Sequence, residues 1–233
     1  MLVTLKIFRY NPEVDTKAHY ETYTLEGEET DRVLDLLEKV KGYNDGTLSF
    51  RRSCAHGVCG SDAMLINGRN RLACKIRVDQ LKAKRITVAP LPGLPVTKDL
   101  VVDMDGFFEK FRSVQPYLQT NTPAPERERR QSPADRAVFD DTTKCILCAA
   151  CTTSCPSFWA QPSYVGPAAI VNAHRFIFDT RDDAAEVRLE ILADRNGVWR
   201  CRTIFNCTDA CPRGIHITQA ILEVSSAITG RRV

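Results

Sequence analysis

Residues Cys145–Pro156 read CILCAACTTSCP, cysteines in steps of three, three and four with a proline directly behind. A C-x2-C-x2-C-x3-C-P run is the ligand pattern of cubane iron–sulfur clusters: three thiolates hold one cluster and the fourth reaches to a second. A zinc ribbon uses two separated pairs instead. Farther on, Cys201–Pro212 reads CRTIFNCTDACP, with the same steps but Ile204 where the second cysteine would stand. The crossing rule then divides the ligands. Cys145, Cys148, Cys151 and Cys211 form a four-thiolate set for [4Fe–4S]. Cys155, Cys201 and Cys207 form a three-thiolate set, and an apolar Ile204 cannot hold a fourth iron, so [3Fe–4S] is expected there.

The other three cysteines lie upstream in SCAHGVCGSDAMLINGRNRLACK, residues 53–75. A C-x4-C-x2-C loop with a distant fourth cysteine is the plant-type pattern for a two-iron cluster. Cys54, Cys59 and Cys74 fit it, with Asp62 at the third position. A carboxylate can ligate iron, though it is harder than a thiolate. Gly57 and Gly60 suit a loop that wraps closely around a cluster. A Rieske centre would need a second Cys–His pair beside Cys54-Ala55-His56, and Cys74-Lys75-Ile76-Arg77 does not supply one, so His56 reads as a loop residue. Three cysteines and an aspartate would also suit structural zinc. From its residues alone this first site stays open between the two.

The chain has 233 residues, 43 % of them apolar and 26 % charged, with a formal charge of +3 that counts thiols as neutral. Thiolates would lower that figure, so no nucleic-acid or lipid surface is inferred from it. The opening MLVTLKIFRY alternates and does not read as a secretory signal. No apolar run reaches the 18 or so residues a membrane span needs. In a reducing compartment ten cysteines point to metal rather than disulfides.

Leu2–Phe8 and His19–Leu25 read as strands, Asp31–Lys41 as a helix with apolar Val33, Leu34, Leu37 and Val40 at helical spacing, and Ala63–Ile66 and Arg85–Val88 as short strands. A helix over Asp105–Val114 precedes TNTPAPERERRQSPADR (Thr120–Arg136), an exposed connection. Beyond it two apolar helices, Ala168–Phe178 and Ile217–Ile228, each follow a cysteine cassette. The fold class is α+β: a mixed sheet with one packed helix over 1–105, a connecting segment over 106–135, and a helical domain over 136–233. His174 and His216 read as surface or capping residues. There is no acid–base constellation and no Gly-rich nucleotide fingerprint, so the primary electron donor is expected in a partner.

In order and spacing, SCAHGVCGSDAMLINGRNRLAC, CILCAACTTSCPSFW and CRTIFNCTDACPRG resemble the iron–sulfur subunit family of bacterial succinate dehydrogenase. FRYNPEVD, SFRRSC and PLPGLPVTKDLVVDM extend the resemblance over nearly the whole chain. It implies a plant-type ferredoxin β-grasp domain followed by an all-helical bacterial ferredoxin-like domain. It further implies electron transfer from the FAD of a flavoprotein subunit, through [2Fe–2S], [4Fe–4S] and [3Fe–4S], to a quinone shared with membrane anchor subunits, at the cytoplasmic face of the cytoplasmic membrane. Some members carry haem b in the anchor. Aspartate at the third two-iron position occurs in the family, which favours Asp62 as a ligand.

The same resemblance places Pro156, Ser157, Trp159, Arg202 and Ile204 near the quinone. Two positions depart from the family's pattern: Ala160, where a second tryptophan is common, and Arg202, where many members have histidine. Guanidinium and imidazole are not interchangeable. The quinol:fumarate reductase subunit, with the same three clusters, is the alternative assignment.

Overall fold

The computed structural model describes residues 1–83 and 85–230. They divide into two compact units, Met1–Met104 with Ile146–Ser154, and Asp105–Cys145 with Cys155 onward. The short segment 146–154, expected within the helical domain, groups with the first unit.

The first unit is built on a five-stranded sheet. Its strands are β1 (Leu2–Arg9), β2 (His19–Glu26), β3 (Ala63–Ile66), β4 (Arg69–Leu72) and β5 (Arg85–Ala89), in the order β2-β1-β5-β3-β4. β1 and β5 run parallel and the other pairs antiparallel. In β1 the alternation of side chains sends Val3, Leu5 and Ile7 into the core, as a period of two requires. Helix α1 (Val33–Lys39) covers them with Val33, Leu34, Leu36 and Leu37, all buried. Each such side chain contributes about 1.5–3 kcal/mol. A π-helical turn over Val40–Asn44 follows α1, and a one-turn helix α2 (Val78–Leu81) precedes β5. A small hairpin of β6 (Val96–Lys98) and β7 (Val101–Val102) ends this unit's main segment.

The inward face of β1 continues to Arg9, whose guanidinium replaces an apolar side chain at the rim. It donates to Asp99 (3.1 Å), Glu21 (2.9 Å), the Tyr23 hydroxyl (2.6 Å), Thr47 (2.7 Å) and Asp45. Burial works against the charge on Asp45, but bonds from Thr47 and Arg9 outweigh it and hold the carboxyl below the usual range. The sequence reading did not single out this network, because its members are scattered from residue 9 to residue 99.

The second unit is helical: α3 (Asp105–Ser113), α4 (Pro133–Phe139), α6 (Pro156–Ala160), α7 (Pro167–Ile177), α8 (Ala185–Ala193), α9 (Asn206–Asp209) and α10 (Ile217–Ile228); α5 (Ala150–Thr153) belongs to the first unit. α7 packs against α10 and α8. Arg188 of α8 is fully buried. It pairs with Asp182 at 2.6 Å and donates to the carbonyls of Gln115 (3.0 Å) and Tyr117 (2.8 Å). One buried side chain thus ties the stretch after α3 to α8.

His174 corrects a reading made from sequence. It is buried on α7, not a surface or capping residue. Nε2 lies 2.6 Å from Glu223 of α10 and Nδ1 lies 3.2 Å from the Thr142 hydroxyl. An apolar helix face hid it, since a single polar residue there carries no signature of its partners. His216 occupies the N-cap position of α10, and its ring is exposed beside Asp141.

Candidate functional site

Cys54 begins a loop whose backbone is folded around its own sulfur. The N–H groups of His56, Val58 and Cys59 lie 3.3, 3.4 and 3.3 Å from Cys54 Sγ. Positive φ angles at Ala55, Gly57 and Gly60 turn these amides inward. These donors pull the Cys54 thiol down to about 6, favouring the thiolate that a metal requires. Cys59 Sγ lies 3.1 Å from the Ser61 hydroxyl.

Asp62 is a carboxylate with only 2 % of its surface exposed. Oδ2 accepts the Cys74 N–H at 2.5 Å, while Oδ1 has no hydrogen-bond partner. Burying half a carboxylate without a donor costs roughly 1–3 kcal/mol or more, so an outside group is the expected partner of Oδ1. Burial, and next the bond and charge of Asp62, push the Cys74 thiol up to about 12. That combination is unfavourable for a bare thiol beside a carboxylate and suits a shared cation.

The two later cassettes repeat each other in backbone conformation. Cys145 and Cys201 have φ/ψ of −62/129 and −64/131. Leu147 and Ala149, which flank Cys148, have φ of 54 and 61; Thr203 and Phe205, which flank Ile204, have 53 and 68. A one-turn helix then follows in each, α5 and α9. Non-glycine residues seldom adopt such left-handed φ values, so two alternating pairs in register show one loop conformation used twice. Ile204 thus holds the backbone position of a cysteine without its sulfur.

Cys148 and Cys151 belong to the first unit; Cys145, Cys155, Cys201, Cys207 and Cys211 belong to the second. Within the first unit, Ile146 and Cys148 rest on the apolar core. Buried Asn70 of β4 donates through Nδ2 to the Ala150 carbonyl (3.1 Å), Thr153 Oγ1 (2.8 Å) and Ser154 Oγ (2.8 Å). Asn70 was missed from sequence. Its place in NGRNRL reads as turn chemistry, and its partners lie some 80 residues away.

In the second unit a partly open hollow is walled by Cys155, Pro156, Ser157, Cys201, Arg202, Ile204 and Cys207, with Phe205, Tyr164 and Thr218 among the other lining residues. The three-thiolate set and four of the five expected quinone residues therefore share one cavity. Trp159 does not line it; it stands half-exposed on α6, and Ile204 and Phe205 are likewise half-exposed. Burial raises the Cys201 and Cys207 thiols, and Cys155 adds to both shifts. All ten cysteines are outside disulfides. Among the described residues no three of His, Cys, Asp and Glu converge to hold a single metal ion; thiolates around a cage of several iron atoms need not converge on one point.

Residues 4–109 match the family described as 2Fe-2S iron-sulfur cluster binding domain, and residues 137–212 match the 4Fe-4S dicluster domain. The chain is 45 % identical to the mitochondrial succinate dehydrogenase [ubiquinone] iron-sulfur subunit of Candida glabrata, over 97 % of this chain and 91 % of that one. It is 44 % identical to the succinate dehydrogenase iron-sulfur subunit of Paracoccus denitrificans, over 97 % and 88 %. Against the Coxiella burnetii subunit of the same name the identity is 42 %, over 95 % of each. A chain of the Mycobacterium smegmatis Sdh1 complex in the apo form superposes with a TM-score of 0.90 at 27 % identity, over 99 % and 96 % of the two chains. Two cluster-binding domains in this order, matched end to end by subunits of one enzyme, settle the assignment: the chain belongs to the family of succinate dehydrogenase iron–sulfur subunits.

Proposed function

We propose that this chain carries electrons within a succinate dehydrogenase, from the FAD of a flavoprotein subunit to a membrane quinone. Cys54, Cys59, Asp62 and Cys74 would hold [2Fe–2S]; Cys145, Cys148, Cys151 and Cys211 would hold [4Fe–4S]; Cys155, Cys201 and Cys207 would hold [3Fe–4S]. When bound, such clusters exchange single electrons and perform no acid–base chemistry of their own. The protein's task is then to hold ligands in the thiolate form and to exclude competing metals and water. Inward amides favour the thiolate at Cys54, whereas burial keeps water from Asp62 and Cys207 and raises the Cys207 thiol, so that thiolate would form together with cluster binding.

The observation that carries the reading is the repeated loop with Ile204 in a cysteine's place. The backbone is built to present a side chain to a cluster, and the side chain has nothing to coordinate with. That favours three irons over four at the cavity of Cys155, Cys201 and Cys207. The same cavity, open beside Arg202 and Ser157, suits a quinone headgroup: a guanidinium and a hydroxyl can donate to its carbonyl oxygens. Among the described residues no helix is long and apolar enough to cross a membrane, so attachment would be peripheral, through anchor subunits at the cytoplasmic face of the membrane.

EPR of the complex purified from its native cells tests this. A three-iron signal when oxidised and a two-iron signal when reduced are expected, with about nine iron atoms per chain and negligible zinc. Ile204→Cys should diminish the oxidised three-iron signal as a fourth iron is retained. An undiminished signal at full occupancy would mean that residue 204 does not set the iron count.

A further inference from the structure

Asn172 sits in the middle of α7, between buried Ile170, Val171 and Ala173, with 8 % of its own surface exposed. Asparagine is a poor choice there: it is a weaker helix former than leucine or alanine, and its amide must find partners away from water. Nδ2 finds two. One is the Ala168 carbonyl one turn back, at 2.8 Å; the other is Cys145 Sγ, at 3.4 Å. The carbonyl contact fixes which end of the amide carries the hydrogens, because Oδ1 in that place would oppose another oxygen. The remaining N–H then points at sulfur.

We infer that Asn172 is a positioning residue that raises the reduction potential of the cluster held by Cys145. The inference rests on the assignment of Cys145 to [4Fe–4S] made above. An N–H dipole aimed at a ligand sulfur favours the more negative, reduced state, and hydrogen bonds to sulfur are a recognised lever on cluster potential. The sulfurs of Cys54 and Cys201 receive N–H groups of their own loops. At Cys145 a donor comes from a replaceable side chain on a separate helix, 27 residues along the chain. The potential of this one cluster can therefore be set by residue 172 without altering the ligand loop.

The test is an EPR-monitored redox titration of the intact complex with Asn172→Leu, which keeps the volume and improves helix propensity. At a fixed ambient potential the oxidised-to-reduced ratio of the tetra-iron centre should rise about three- to tenfold, a downward shift of up to about 59 mV for a one-electron couple. The two-iron and three-iron centres should titrate as before. An unchanged tetra-iron potential with intact clusters overturns the inference. Should the variant lose its cluster, the wild-type complex decides. Labelled with 15N in asparagine side chains, it should show a coupled side-chain nitrogen by ENDOR at the reduced tetra-iron centre, and absence of that coupling overturns the inference. Absence of any tetra-iron signal from the wild type would instead remove the ligand assignment beneath it.

Discussion

Gly60 lies directly against Cys148. A methyl group on Gly60 would sit 2.6 Å from Cys148 Cβ and 3.1 Å from the Ile146 carbonyl oxygen. The end of the loop that starts at Cys54 and the second cysteine of the next cassette thus share a surface with no room for one carbon. Gly60 also has φ of +72, where L-residues are strained. Gly60→Ala should cost about 2–4 kcal/mol from strain and overpacking together and should displace Cys148. Heating the purified complex while following iron–sulfur absorbance should show earlier bleaching, with the tetra-iron centre lost first. Wild-type heat resistance in the variant would mean that the contact relaxes freely.

Asn70→Asp should be worse than Asn70→Leu. Leucine removes the donors to Ala150, Thr153 and Ser154, costing about 1–3 kcal/mol. Aspartate places a charge against the Ala150 carbonyl, which cannot donate in return. Iron content per chain after desalting should fall in the order wild type, Asn70→Leu, Asn70→Asp.

Arg188→Met removes a cation sealed with Asp182 and leaves that carboxylate fully buried. Loss of one partner of a buried pair costs about 3–5 kcal/mol. Lysine at this position should rescue only part of the loss, since it cannot reach Asp182 and both backbone carbonyls in the same plane. Limited proteolysis should report the damage as faster cleavage around 115–117, the residues whose carbonyls Arg188 holds.

His174 predicts a pH dependence. Burial lowers its pKa below the ordinary 6.5, against the raising effect of Glu223. Between that depressed folded value and 6.5 the unfolded chain binds a proton that the folded chain does not. This contribution therefore weakens folding as pH drops below 6.5. His174→Gln removes it while keeping a hydrogen-bonding side chain. Thermal midpoints of the variant and wild-type complexes should converge as pH falls from 7.5 toward 5.5. A gap that widens instead would show that His174 is charged in the folded protein.

Much of this was legible from residue spacing. Cysteine intervals are set by cluster chemistry and survive in one dimension, and the period-two and helical patterns of β1, α1 and α10 are equally local. His174 and Asn70 were not legible, because a buried polar residue is defined by partners distant in the chain. Asn172 was hidden in the same way, inside a helix whose periodicity announced only packing. The short elements α5, α6 and α9 escaped notice because four or five residues contain too little periodicity to register. Their form follows from the loops they terminate. Trp159, which the resemblance places near the quinone, is half-exposed outside the cavity walls that Pro156, Ser157, Arg202 and Ile204 share.

The first unit is completed only by residues 146–154, which lie some forty positions beyond the end of its main segment. A ribosome making this chain must therefore release the nine-residue strip carrying Cys148 and Cys151 before the sheet's own surface can close. Until then Asn70 faces no Ala150, and Gly60 faces no cysteine. Iron delivery before that moment would meet a half-built vessel. The order of translation consequently sets an earliest time at which the first unit can be complete.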